Sequence, residues 1–140
     1  MEEFSLMEKL FGKPFISSRD VLGKVVQFRV LSNEDRVDVW RRNPTNDLLT
    51  LSETISVPVL VRAIVTIDGQ ALTASSEYVQ MSNDNPKVGK SEILERIFSK
   101  FPHTVISAMY EAYADVVEEH KRQLDELKKN STPPNPETSG

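Results

Sequence analysis

Residues able to carry chemistry are few and scattered in this 140-residue chain. His103 and His120 are its only histidines, seventeen positions apart, and no third ligand stands at a recognisable metal-site spacing. His103 falls at a helix start and His120 at the edge of an apolar stripe, so a packing or surface role suits both. The adjacent acids Glu34 and Asp35, or Glu118 and Glu119, project differently from a helix and do not face each other across a cleft as a paired acid and base would. The five glycines are dispersed, which excludes a glycine-rich phosphate loop, and no G-x-S-x-G elbow occurs. No enzyme motif, cofactor motif or metal motif is therefore present, and the expectation is a binding protein without a cofactor.

With no cysteine, the chain has no disulfide framework, thiolate zinc site or cysteine nucleophile, and a reducing compartment is the simplest setting. A formal net charge of -4 disfavours non-specific duplex binding, which draws on clustered Lys and Arg. The most apolar window, Leu48 to Ile67, is interrupted by Glu53, Pro58 and Arg62, so no membrane span is expected. Met1 to Phe15 lacks the basic start and long apolar core of a secretory signal.

Function must then reside in surfaces, and the longest of these is helical. From Pro102 to Lys129, the residues Val105, Ile106, Met109, Tyr113, Val116, Val117, His120, Leu124 and Leu127 recur at steps of three and four, one stripe of an α-helix. Acids and bases fill its other face, with Glu118 and Arg122 or Asp125 and Lys129 at pairing distance in sequence. The stripe needs a cover along its whole length, from this chain or from another. Met109, Tyr110, Tyr113 and Val117 are the adaptable and aromatic side chains enriched at interfaces, and they suit core packing equally well. Leu6, Leu10 and Phe11 form a second apolar patch on a short N-terminal helix or arm over residues 1–15.

The elements that would position these residues read in order. Ile16 to Asp20 is expected as a polar connector, and Lys24 to Leu31 alternates as a half-buried strand with Val26, Phe28 and Val30 on one side. Ser32, with Asp35 three residues on, opens a helix carrying Val37 and Trp40, the latter expected as a core anchor. Asn46 or Asp47 starts a second helix through Leu48, Leu49, Leu51, Ile55 and Val59, kinked or broken at Pro58, which gives way to a strand near Val65. Asp68-Gly69 signals a tight turn with Gln70 to Thr73 pairing back. Ala74 to Gly89 is weakly patterned and expected as a loop. Ser91 caps a helix through Phe101, and Pro102 opens the long helix. Asn130 to Gly140, with three prolines and no apolar residue, is expected to be disordered. The fold class is α+β, mainly α: a small strand or hairpin element packed with a helical body over residues 16–129, ending in a long C-terminal helix.

The order of these features resembles the tail-assembly chaperones and related baseplate-hub assembly proteins of long-tailed bacteriophages. The apolar run into Val65, Thr66, Ile67, Asp68 and Gly69, the Phe101-Pro102 entry to a helix, and Tyr110 with Tyr113 carry the resemblance, which covers roughly Val25 to Leu127. It implies a non-enzymatic protein of the host cytoplasm that binds the apolar helical stripe of the tape-measure protein until tube subunits replace it. The alternative is a permanent structural baseplate or connector subunit in a homo- or hetero-oligomer, associated with the virion. Neither reading implies nucleic acid, membrane or cofactor.

Overall fold

A computed structural model describes residues 11–42 and 54–131 of the chain. The architecture is α+β and mainly α, with a small antiparallel sheet, a helical body and a long C-terminal helix. Strands β1 (Ile16–Val21), β2 (Lys24–Arg29), β3 (Ile64–Ile67) and β4 (Gln70–Ala71) lie in the order β1-β2-β3-β4. The helices are α1 (Asn33–Arg42), α2 (Ser56–Ala63), α3 (Ser76–Asp84), α4 (Lys90–Phe98) and α5 (His103–Ser131), and a 3₁₀ turn, Leu72–Ala74, follows β4.

Both tight hairpins use the backbone twist that matches paired strands, with two consecutive residues at positive φ. Leu22 (φ 53°) and Gly23 (φ 82°) join β1 to β2, and Asp68 (φ 50°) and Gly69 (φ 79°) join β3 to β4. The second was legible from Asp-Gly. The first was hidden because leucine is an unfavourable residue for a left-handed backbone, and Asp20 supports the turn by accepting from the Gly23 N–H at 3.0 Å.

The expected connector Ile16 to Asp20 is instead strand β1. Its alternation is concealed because the inward positions are polar: Ser17 and Arg19 meet carboxylates on α5 rather than apolar side chains. In β2 the buried positions are the apolar Val26 and Phe28, as expected, and the ladder to β3 carries an irregularity between Gln27 and Phe28.

Ser32 caps α1 through its hydroxyl, which accepts from the Asp35 N–H at 3.1 Å. Trp40, however, is no core anchor: it is 53% exposed, and Val39 is the buried side chain of this helix. Successive residues project about 100° apart around a helix, so a wall that accepts Val39 turns Trp40 to the margin. Val37 also faces outward.

The second expected helix falls mostly outside the described residues. At Pro58 the outcome is a new start: α2 begins at Ser56, which places the proline in the first turn, where the missing N–H costs no helical bond. Pro58 to Ala63 are all buried, and at Ile64 the chain passes directly into β3, next to the expected Val65. Ala74 to Gly89, expected as a loop, contains α3, whose Ser75 cap accepts from the Tyr78 N–H at 3.2 Å. Helix α4 starts after Gly89 rather than with Ser91 as cap, and ends at Phe98 rather than Phe101. The Pro102 carbonyl accepts from Val105 and Ile106, so it sits at the threshold of α5 rather than inside it.

Phe28, Leu60, Ile93, Leu94, Val26 and Val116 are the largest fully buried side chains, so the core lies where β2, α2, α4 and the first half of α5 meet. Removing the bulk of Phe28 or Leu60 would cost about 3–4 kcal/mol in transfer and cavity terms.

Candidate protein-binding groove

Charged groups inside the fold serve structure. Arg62, only 7% exposed, reaches from α2 to α1 and α4. Its guanidinium donates to Asp38 Oδ2 at 3.1 and 2.8 Å and to the Pro58 carbonyl at 2.7 Å, and lies 3.6 Å from Glu95 Oε2. The contacts to Asp38 and Glu95 tie α2 to α1 and α4, while the bond to Pro58 stays within α2, and the planar fork suits this use better than lysine would. Arg29 pairs with Asp35 at 3.0 Å in the same way, from β2 to α1.

A second clasp joins β1 to α5. Arg19 donates to Asp115 and to Glu119, and the Ser17 hydroxyl donates to Glu119 at 3.1 Å. The bond from Arg19, then that from Ser17, holds the Glu119 carboxyl below its usual range, while Glu119 and Asp115 raise the Arg19 guanidinium above its own. Thus Glu119 is paired across the fold, and Glu118 takes a different partner, Lys121, at 3.4 Å.

His120 stacks on Phe15, ring centroids 4.5 Å apart and 12° from coplanar, so its ring covers the end of β1. His103 is the exposed first residue of α5. Among the described residues, no group of three or more His, Cys, Asp or Glu is placed to hold a metal ion.

The feature suited to a ligand is an apolar groove between α1 and α5. One depression, about 270 Å³, has Leu31, Val39, Ile55, Val59 and Tyr113 along its floor, with Arg36, Trp40 and Tyr110 beside them. It shares Leu31, Arg36, Tyr110 and Tyr113 with a second depression of about 470 Å³, which continues along α5 past Ala114, Val117, Glu118, His120 and Lys121. Buried side chains form part of the floor, so the groove is anchored in the core.

Of the four α5 residues singled out from sequence, Tyr110, Tyr113 and Val117 line this groove in different roles, and Met109 lines neither depression. Tyr113 is 8% exposed: its ring tilts against Phe28 at 6.2 Å, and its phenol oxygen accepts from the buried Leu31 N–H at 3.3 Å. Burial pushes its pKa up, opposed by that hydrogen bond. Met109, Tyr110 and Val117 are half-buried against the core, and Tyr110 tilts against Tyr113 at 6.1 Å. Core packing and groove lining are thus combined in one stretch. Phe11 is 83% exposed, and Leu6 and Leu10 lie outside the described residues.

Sequence reasoning missed Trp40 and Arg36 as groove residues. The available signal was the polarity of α1: with Asn33 to Arg42 mostly charged, the helix has room for little buried surface, and an exposed indole beside it marks a contact site. A different cleft, about 420 Å³, separates α3 from α4, with Met81, Ile97 and Phe101 between Glu77, Asp84 and Lys100. Its α3 wall has no buried residue, so it is less firmly built than the α1–α5 groove.

No family model, curated protein or solved structure matches this chain. No helix among the described residues is long and apolar enough to cross a membrane.

Proposed function

We propose that this protein is a non-enzymatic assembly chaperone of long-tailed bacteriophage tails, acting in the host cytoplasm, and that it holds an apolar helical stripe of the tape-measure protein in the groove between α1 and α5. The observation that supports this reading is the juxtaposition of an exposed Trp40 with Tyr110 and Val117 over a floor of core side chains. An amphipathic helix laid into such a groove buries its apolar residues at i, i+3, i+4 and i+7, and rigid aromatic rings supply contact area at low entropic cost. The resemblance of the Val25 to Leu127 order to tail-assembly chaperones names the partner.

The test is co-expression of the full chain with a phage tape-measure protein, followed by pull-down. A soluble complex is expected, with at least a tenfold loss of recovered partner for Trp40→Ser combined with Tyr110→Ala. Both positions are partly exposed, so folding should survive. Unchanged recovery from the folded variant would overturn the groove assignment.

The competing reading is a permanent baseplate or connector subunit, favoured by the exposed Leu124 and Leu127 on the far end of α5, which offer an oligomer surface. It requires the protein in finished particles. Absence from purified virions would remove it.

A further inference from the structure

The covered part of the α5 stripe ends at one aromatic contact. His120 stacks on Phe15, and the next two positions of the stripe, Leu124 and Leu127, are 44% and 61% exposed. Strand β1 runs against α5. Arg19 reaches Asp115, Ser17 reaches Glu119 and Phe15 reaches His120, so each step toward the start of β1 is a step toward the C-terminal end of α5. The chain that precedes Phe15 therefore joins the body beside the open end of the stripe. It brings Phe11 there, itself 83% exposed.

The distances allow these apolar groups to meet. Leu124 and Leu127 lie about 6 Å and about 10 Å beyond His120 along the helix. Phe11 precedes Phe15 by four positions, a span of at most about 14 Å. Between them, Gly12 carries no Cβ and Lys13 is a bend, so the angle at which the chain leaves β1 can change without strain. Phe4, Met7, Leu10 and Phe11 recur at steps of three and four, which gives this stretch an apolar side of its own.

The tether selects the occupant. Between separate molecules a seam of two leucines is too small to repay the freedom lost on association. A segment joined to the body four residues away meets the same seam at an effective concentration on the order of millimolar. Among the possible occupants, only the chain's own N-terminal stretch has this advantage.

We propose that residues 4–11 form a strap that closes on the exposed end of α5, seating Leu10 and Phe11 on Leu124 and Leu127. The seam is small, so open and closed forms coexist, and the exposed Phe11, Leu124 and Leu127 belong to the open one. Resting on the reading of the groove as a helix-binding site, a partner helix has to displace this strap to run past His120.

A single spin label at Glu8→Cys tests the closure in the intact chain, which has no native cysteine and keeps every apolar side chain in this variant. Backbone amides of residues 121–129 are expected to be broadened by the label. Leu124→Ser with Leu127→Ser, at two exposed positions, is expected to reduce that broadening at least threefold. Broadening that is absent, or that survives the double variant, would overturn the proposal. In a mixture of labelled protein with unlabelled, isotope-enriched protein, the broadening should vanish; its persistence would assign the seam to a second copy and overturn the proposal as well. In the tape-measure pull-down, Leu10→Ser with Phe11→Ser is expected to raise the recovered partner at least threefold, and unchanged recovery would overturn the displacement. No recovered partner, together with the expected label result, would remove the groove reading and leave the closure standing.

Discussion

The two halves of α5 share one periodicity and meet different fates. Ile106, Tyr113 and Val116 are buried against β2 and α2, while Leu124 and Leu127, on the continuation of the same stripe, stand in solvent. The difference follows from the dimensions of the body. A stripe spaced at three and four fixes which side of a helix is apolar, but how far it is covered depends on the elements packed beside it, and here they end near Phe15 and His120. Burial fixes the first half in the core, and the second half stays exposed.

The sharpest way to break this comparison is to remove one apolar side chain from each half. Ile106→Ala, at a site 9% exposed, is expected to destabilise the fold by about 3 kcal/mol in denaturant melts. Leu124→Ala in the same melts should change stability by less than about 0.5 kcal/mol. Equal losses would mean that both halves are covered. Arg62→Ala, which removes the cation between Asp38 and Glu95 and the donor to the Pro58 carbonyl, should also cost about 3 kcal/mol, measured the same way.

Tyr113→Phe sharpens the boundary between core and groove. It keeps the ring but leaves the Leu31 N–H without its acceptor, a loss of about 1–2 kcal/mol at neutral pH. Burial raises the folded-state pKa of Tyr113 above the ordinary 10.0, so its contribution is intact below that value and is lost as pH rises through the raised one. Wild-type stability should therefore fall above pH 10.0 more steeply than that of Tyr113→Phe, seen as converging thermal midpoints.

Arg19→Gln tests the clasp at the edge of the covered half. The Glu119 carboxyl is held below its ordinary 4.5, so the clasp contributes above that value and is lost as pH falls through the depressed one. The gap in thermal midpoint between wild type and Arg19→Gln should hold at neutral pH and close in acid. A gap unchanged by acid would remove the ion pair as its cause.

How much of this was legible depended on whether a local pattern matched its tertiary use. Helix α5, the Ser32 cap, the Asp68-Gly69 turn and the passage from α2 into β3 each carried a local signal that the fold respects. β1 did not, because its inward Ser17 and Arg19 are polar by virtue of carboxylates about a hundred residues away on α5. Helix α3 did not, because it has no buried residue to impose a period and is held by its Ser75 cap and by packing on α4. The groove was half legible: Tyr110, Tyr113 and Val117 were named from α5, but Trp40 was assigned to the core, since size and apolarity alone do not say on which side of α1 the neighbours lie.

Trp40 supplies the most direct test that the α1–α5 groove is where a partner helix sits. With partner bound to the full chain, quenching of its emission by acrylamide should fall several-fold from the value for the free protein, in which the indole is 53% exposed. Quenching that is unchanged in a complex verified by size would place the partner elsewhere and contradict the account.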